Sequence, residues 1–113
     1  MPFIQTKTNT SISVDQEKSL KEKFGKDIRY LPGKTERWLM LDFEGDCRMW
    51  FDGKDTSCAM LEVKLFGKAQ ESAYEKLTAA LTEDVASVLG ISSDRIYVKY
   101  EEIDHWGWNG SNF

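Results

Sequence analysis

A chain of 113 residues leaves room for one compact domain, because an ordinary single core takes about 100 to 150 residues. Hydrophobic residues make up 41% of it, and six Phe, four Trp and four Tyr exclude a disordered chain. With 15 basic against 19 acidic side chains the net charge is -4, and no segment interleaves Lys or Arg with aromatics, so nucleic acid is excluded as a partner. No apolar run approaches the ~20 residues that cross a bilayer, and no basic stretch leads into an apolar one at the N-terminus. The expectation is a cytoplasmic protein without membrane insertion.

In chain order, Pro2 to Thr8 (PFIQTKT) reads as a strand. Ser13-x-x-Gln16 has capping-box form and opens a helix whose apolar face is Leu20, Phe24, Ile28 and Leu31, closed by Gly33. Trp38 to Leu41 is continuously apolar, as in a strand covered on both faces. Asp46 to Ser57 links the halves, and its Arg48-Met49-Trp50-Phe51 reads as a short edge strand whose exposed aromatics suit a subunit contact. Ala59 to Leu65 is again a strand. Ser72-x-x-Glu75 has capping-box form, and Leu77, Leu81, Val85 and Val88 repeat the 4, 4, 3 spacing before Gly90.

The halves superpose at an offset of 57: Pro2 on Ala59, Leu20 on Leu77, Gly33 on Gly90. With one residue inserted in the second half, Glu36-Arg37-Trp38-Leu39-Met40 falls on Asp94-Arg95-Ile96-Tyr97-Val98. The chain reads as one domain, 1–113, made of pseudo-repeats 2–45 and 59–102. Right-handed βαβ crossovers related by a pseudo-two-fold give an α+β fold: a duplicated βαβ forming a four-stranded mixed sheet with two helices on one face. The other face needs cover, and a closed homo-oligomer with inward-facing sheets supplies it. The alternative is a monomer with an aromatic ligand groove.

Cys47 and Cys58 lack CxxC spacing and read as free thiols, and His105, the only histidine, cannot make a triad or a multi-histidine metal site. Met-Pro is a start that methionine aminopeptidase trims, which leaves Pro2 with a free secondary amine. An ordinary α-amino group titrates at about 8, and burial beside a cation brings it toward neutrality, where it is a general base. The alternative is that Pro2 merely begins a strand, where its missing N–H does no harm.

MPFIQTKTN at the start, Gly33-Lys34, Phe66-Gly67-Lys68, SSDRIYVKY from Ser92 to Tyr100, and GWNGSNF from Gly107 to Phe113 together resemble the macrophage migration inhibitory factor family of the tautomerase superfamily. The resemblance implies a trimer with a site at each subunit interface and keto–enol tautomerisation of phenylpyruvate-type α-keto acids, with no cofactor and no metal. It makes Pro2 the catalytic acid and base and Lys34 the cation that meets the substrate's carboxylate or carbonyl oxygen. Phe66 stands where a backbone N–H meets substrate, and Tyr97, from the adjacent subunit, lines the pocket. Trp106, Trp108 and Phe113 border it.

Three positions depart from the mammalian members. Lys99 stands for an asparagine and adds a cation, and Trp106 replaces a small aliphatic residue and narrows the mouth. Cys58 matches the first cysteine of a CxxC whose second position is Leu61, so thiol oxidoreductase activity is not expected. The activity needs Met1 removed, since an acylated proline nitrogen has no lone pair to act as base. The alternative function is a cytokine-like interaction protein, released without a signal peptide, that binds a protein receptor while the pocket is vestigial.

Overall fold

The computed structural model describes every residue from Met1 to Phe113. Its first strand, β1 (Pro2–Thr8), alternates strictly: Ile4, Thr6 and Thr8 are buried, while Phe3, Gln5 and Lys7 point to the other face. β2 (Met40–Glu44) runs parallel to β1 on one side, and β3 (Ala59–Phe66) antiparallel to it on the other. β4 (Ile96–Ile103) runs parallel to β3, so the mixed sheet has the order β2-β1-β3-β4. The helices α1 (Val14–Asp27) and α2 (Glu71–Leu89) pack on the face that carries Ile4, Leu61, Val63 and Leu65. No helix is long and apolar enough to cross a membrane.

Leu20, Phe24, Ile28, Leu31, Leu77, Leu81 and Val85 are fully buried in one core, each contributing about 2 kcal/mol of apolar burial. The first helical face is not one helix. α1 stops at Asp27, and Ile28 enters the core from a 3-10 turn, Ile28–Tyr30. The Ser13 capping box forms as read, with Gln16 N–H donating to Ser13 Oγ at 3.1 Å and Ser13 N–H to Gln16 Oε1 at 2.9 Å. Gln16 Nε2 also reaches the Val88 carbonyl, tying the start of α1 to the end of α2.

Several local expectations are corrected. Ser72 does not cap α2: the helix begins one residue earlier, Gln70 stands at the cap without a side-chain bond, and Ser72 sits inside the first turn. The inserted residue is absent. Phe3 pairs with Met40 and Met60 with Tyr97, so the offset of 57 holds through the last strands, and the 3-10 turns Glu36–Trp38 and Ser93–Arg95 are also 57 apart. Aligning the Glu-Arg and Asp-Arg pairs slips the register by one, which exchanges the two faces of the sheet.

Trp38 to Leu41 is not a doubly covered strand either. Trp38 ends a 3-10 turn, Leu39 and Leu41 pack against the core, and Met40 is 67% exposed. The open face is largely ionic: Lys99 pairs with Glu62 at 2.9 Å and Glu101 at 3.4 Å, and the Gln5 amide bridges Asp42 and Glu44. Arg48 to Phe51 forms no edge strand. Phe51 and Lys54 close a two-residue hairpin turn, and Arg95 holds the loop by donating to the carbonyls of Phe51, Lys54, Thr56 and Ser57.

Two carboxylates meet between the helices. Asp27 Oδ2 and Asp84 Oδ2 are both buried without a hydrogen-bond partner among fixed donors. Burial, and then hydrogen bonding to and charge on Asp27, push the Asp84 carboxyl up to about 8, so at neutral pH its proton is available to the neighbouring carboxylate.

Candidate active site

The site is built around the end of the central strand. Pro2 opens β1 opposite Leu65, where a residue without an N–H costs the ladder nothing. Its nitrogen is acylated by Met1, whose carbonyl accepts a 3.0 Å hydrogen bond from the Phe66 N–H. The Met1 amine is lowered from 8.0 to about 6, first by burial, then by the charge of Lys34 and a hydrogen bond from it. An amine at this place is largely neutral at pH 7.

Lys34 is aimed by local sequence. Pro32 and Gly33, the latter at φ +79°, take the central places of a turn closed by the Lys34 N–H on the Leu31 carbonyl at 3.0 Å. The turn directs the side chain across the start of β1, where Nζ donates to the Phe66 carbonyl at 3.0 Å. The backbone of Phe66 thus engages Lys34 through its oxygen and Met1 through its N–H.

On the β2 side of Pro2 lies a cleft of about 580 Å³, in the range of small-molecule sites. Met1, Pro2 and Phe3 border it at the strand, Arg37 to Met40 form one wall, and Trp106 to Trp108 the other. Trp38 and Trp108 meet edge to face at 5.0 Å, Phe113 lies 6.3 Å from Trp108, and 5.7 Å separates it from Phe66. The tail folds back through a hairpin, β5 (Gly107–Trp108) with β6 (Ser111–Asn112), and is pinned by the Phe113 N–H on the Trp106 carbonyl. An aromatic frame of this kind suits a flat apolar ligand.

Pro2, Trp106 and Trp108 line the cleft, Lys34, Phe66 and Phe113 adjoin it through the contacts just given without lining it, and Tyr97 and Lys99 stand apart. Tyr97 pairs with Met60, five strand residues or about 17 Å from the Leu65 that faces Pro2, and rests on Phe51 at 4.7 Å. Lys99 is occupied by its two carboxylates, and its ammonium holds Glu62 below the usual carboxylate range. Sequence reasoning missed Trp38 and Arg37 as cleft residues. It also missed Gly25, where a Cβ would run into the Glu36 side chain, so glycine lets the 36–38 turn seat against α1. The only signal for these was an Arg-Trp pair three residues beyond Gly33-Lys34.

The family model for macrophage migration inhibitory factor matches residues 1–113. The chain is 33% identical over 118 residues to macrophage migration inhibitory factor of Meriones unguiculatus, with 100% of this chain and 99% of the relative covered. Among solved structures, Leishmania major MIF2 superposes with a TM-score of 0.94 at 31% identity, covering 100% of this chain and 97% of that one. A fused 4-OT wild-type asymmetric trimer shares the fold, with a TM-score of 0.85 at 20% identity over 97% of this chain and 94% of that one. A match along its whole length places this chain in the macrophage migration inhibitory factor family.

Proposed function

We propose that the chain, once Met1 is removed, is a tautomerase of phenylpyruvate-type α-keto acids that uses the Pro2 amine as acid and base. The observation that carries this reading is that Pro2 borders an aromatic cleft at the place where burial and Lys34 lower the amine of the preceding residue, Met1, to about 6. A neutral secondary amine takes a proton from the carbon next to the ketone as the C–H electrons move into the enolate, whose oxygen takes a proton from water and gives it back to water in the reverse direction. In the reverse direction the protonated amine returns a proton to that carbon. Burial and then Lys34 keep the amine neutral, and Lys34 neutralises negative charge on the substrate's oxygens. Loss of Met1 also frees the Phe66 N–H, which becomes a second donor for the same oxygens.

The reading includes a homotrimer, in which the adjacent subunit brings Tyr97, and with it Lys99, toward the cleft. Support comes from the fold shared with relatives and from the exposed Tyr97 on the open sheet face. The test is ketonisation of enol phenylpyruvate by Met1-free protein beside Pro2→Gly, which keeps an amine but changes its geometry and basicity. Turnover in the first that is lost in the second supports the reading; equal background rates overturn it. The second reading, a cytokine-like interaction protein with a vestigial pocket, is favoured by Trp50, 72% exposed on a loop that Arg95 holds outside the cleft. Receptor binding that survives Pro2→Gly and is lost in Trp50→Ala separates it from the first.

A further inference from the structure

Arg37 is a charge without a partner. The chain's ion pairs are Lys21–Glu36, Lys54–Asp52 and those of Lys99 with Glu62 and Glu101, and no side-chain hydrogen bond involves Arg37. It is nevertheless held in place. Its guanidinium lies 4.9 Å from the centre of the Trp38 ring, and the turn that carries both is braced by Glu36 against Gly25 and Lys21. Stacking on a ring face leaves the in-plane N–H donors free for a planar anion.

Its position differs from that of Lys34 in a way the topology fixes. β1 lies between β2 and β3. Lys34 is tied to Phe66 at the end of β3, whereas Arg37 and Trp38 precede β2 and line the cleft with Pro2. The two cations therefore flank Pro2 from opposite sides, with the apolar walls of Trp38 and Trp108 beside Arg37.

Resting on the function proposed above, we infer that Arg37 is a second anion receptor of this cleft, and that its ligand is an aromatic α-keto acid with another anionic group at the far end of the ring. Lys34 takes the keto acid beside Pro2. Arg37 takes the distal carboxylate with the ring laid against the joint wall that Trp38 and Trp108 form. Phenylpyruvate, whose only anionic group is its keto acid, then uses only half of the recognition.

The experiment compares 4-carboxyphenylpyruvate with phenylpyruvate as substrates of Met1-free wild type, Arg37→Met and Arg37→Lys. In parallel, 4-carboxyphenylacetate and phenylacetate, which do not turn over, are titrated by calorimetry. A charge-assisted pair at the rim predicts a wild-type preference of about tenfold for the carboxylated member, in kcat/KM and in affinity. The preference disappears in Arg37→Met, returns in part in Arg37→Lys, and shrinks as salt is raised. Equal affinity of the wild type for both acetates, or a preference untouched by Arg37→Met, overturns the inference. Binding preference without turnover of either keto acid overturns the tautomerase reading and leaves Arg37 as an anion receptor.

Discussion

Lys34 and Phe66 are joined by a 3.0 Å hydrogen bond from the lysine Nζ to the phenylalanine carbonyl, which ties the turn after α1 to the end of β3 across the start of β1. The bond holds the ammonium beside the terminal amine, so Lys34 is both a structural strap and the cation that lowers the amine's pKa. Lys34→Met should lower kcat/KM for phenylpyruvate about 100-fold, the size of a lost oxyanion partner. It should also return the amine pKa toward the ordinary value. Steady-state kinetics with a pH profile check both, and a loss of rate with an unmoved profile would assign Lys34 to substrate binding alone.

The lowered amine sets the pH dependence. Only the neutral form abstracts a proton, so enolisation, followed as deuterium exchange at the carbon beside the ketone, should rise with pH through a value well below the ordinary 8 and level off above it. An acid limb near 8 would mean that the partly buried, Lys34-facing environment of Met1 does not pass to Pro2.

Asp84 predicts an opposite trend in stability. Its folded pKa is raised to about 8, so the native state holds a proton that the unfolded chain has released above about 4. The contribution is full below the unfolded pKa and is lost as pH rises through about 8, so Tm should fall between pH 5 and 9. Asp84→Asn, which keeps the shape and supplies an N–H to Asp27, should flatten that fall and raise Tm at pH 9 by a few degrees. Thermal melts across this range test it, and a slope unchanged in the variant would locate the pH dependence elsewhere.

Assembly is open to a direct check. Light scattering at micromolar concentration should give about three times the 13.0 kDa chain mass. A 13.0 kDa particle would leave Tyr97 about 17 Å along the sheet from the strand position that faces Pro2 and remove it from the mechanism.

Strand and helix order was legible because period-2 and 3.6-residue patterns recur at one offset, from Ile4 over Leu61 to Phe24 over Leu81. The last strands were misaligned by one residue because matching charges, Glu36-Arg37 with Asp94-Arg95, outweighed the weaker apolar alternation, and register depends on which face each side chain takes. Arg95 was illegible as a clamp because its partners are carbonyls, which every residue carries. Lys34 could be picked out only because Gly33-Lys34 is one of the motifs that carry the family resemblance. Arg37 could not, since its role rests on the ring beneath it and the lack of an ion-pair partner, and neither is written at its own position.

The central claim is that a free proline amine is the base, and Met1 is the natural control. Ketonisation of enol phenylpyruvate should be measured on two mass-verified preparations of the same chain, one beginning at Met1 and one at Pro2. Turnover confined to the Pro2 form is the predicted result; equal rates in the two forms would contradict it, because the acylated nitrogen has no lone pair to give.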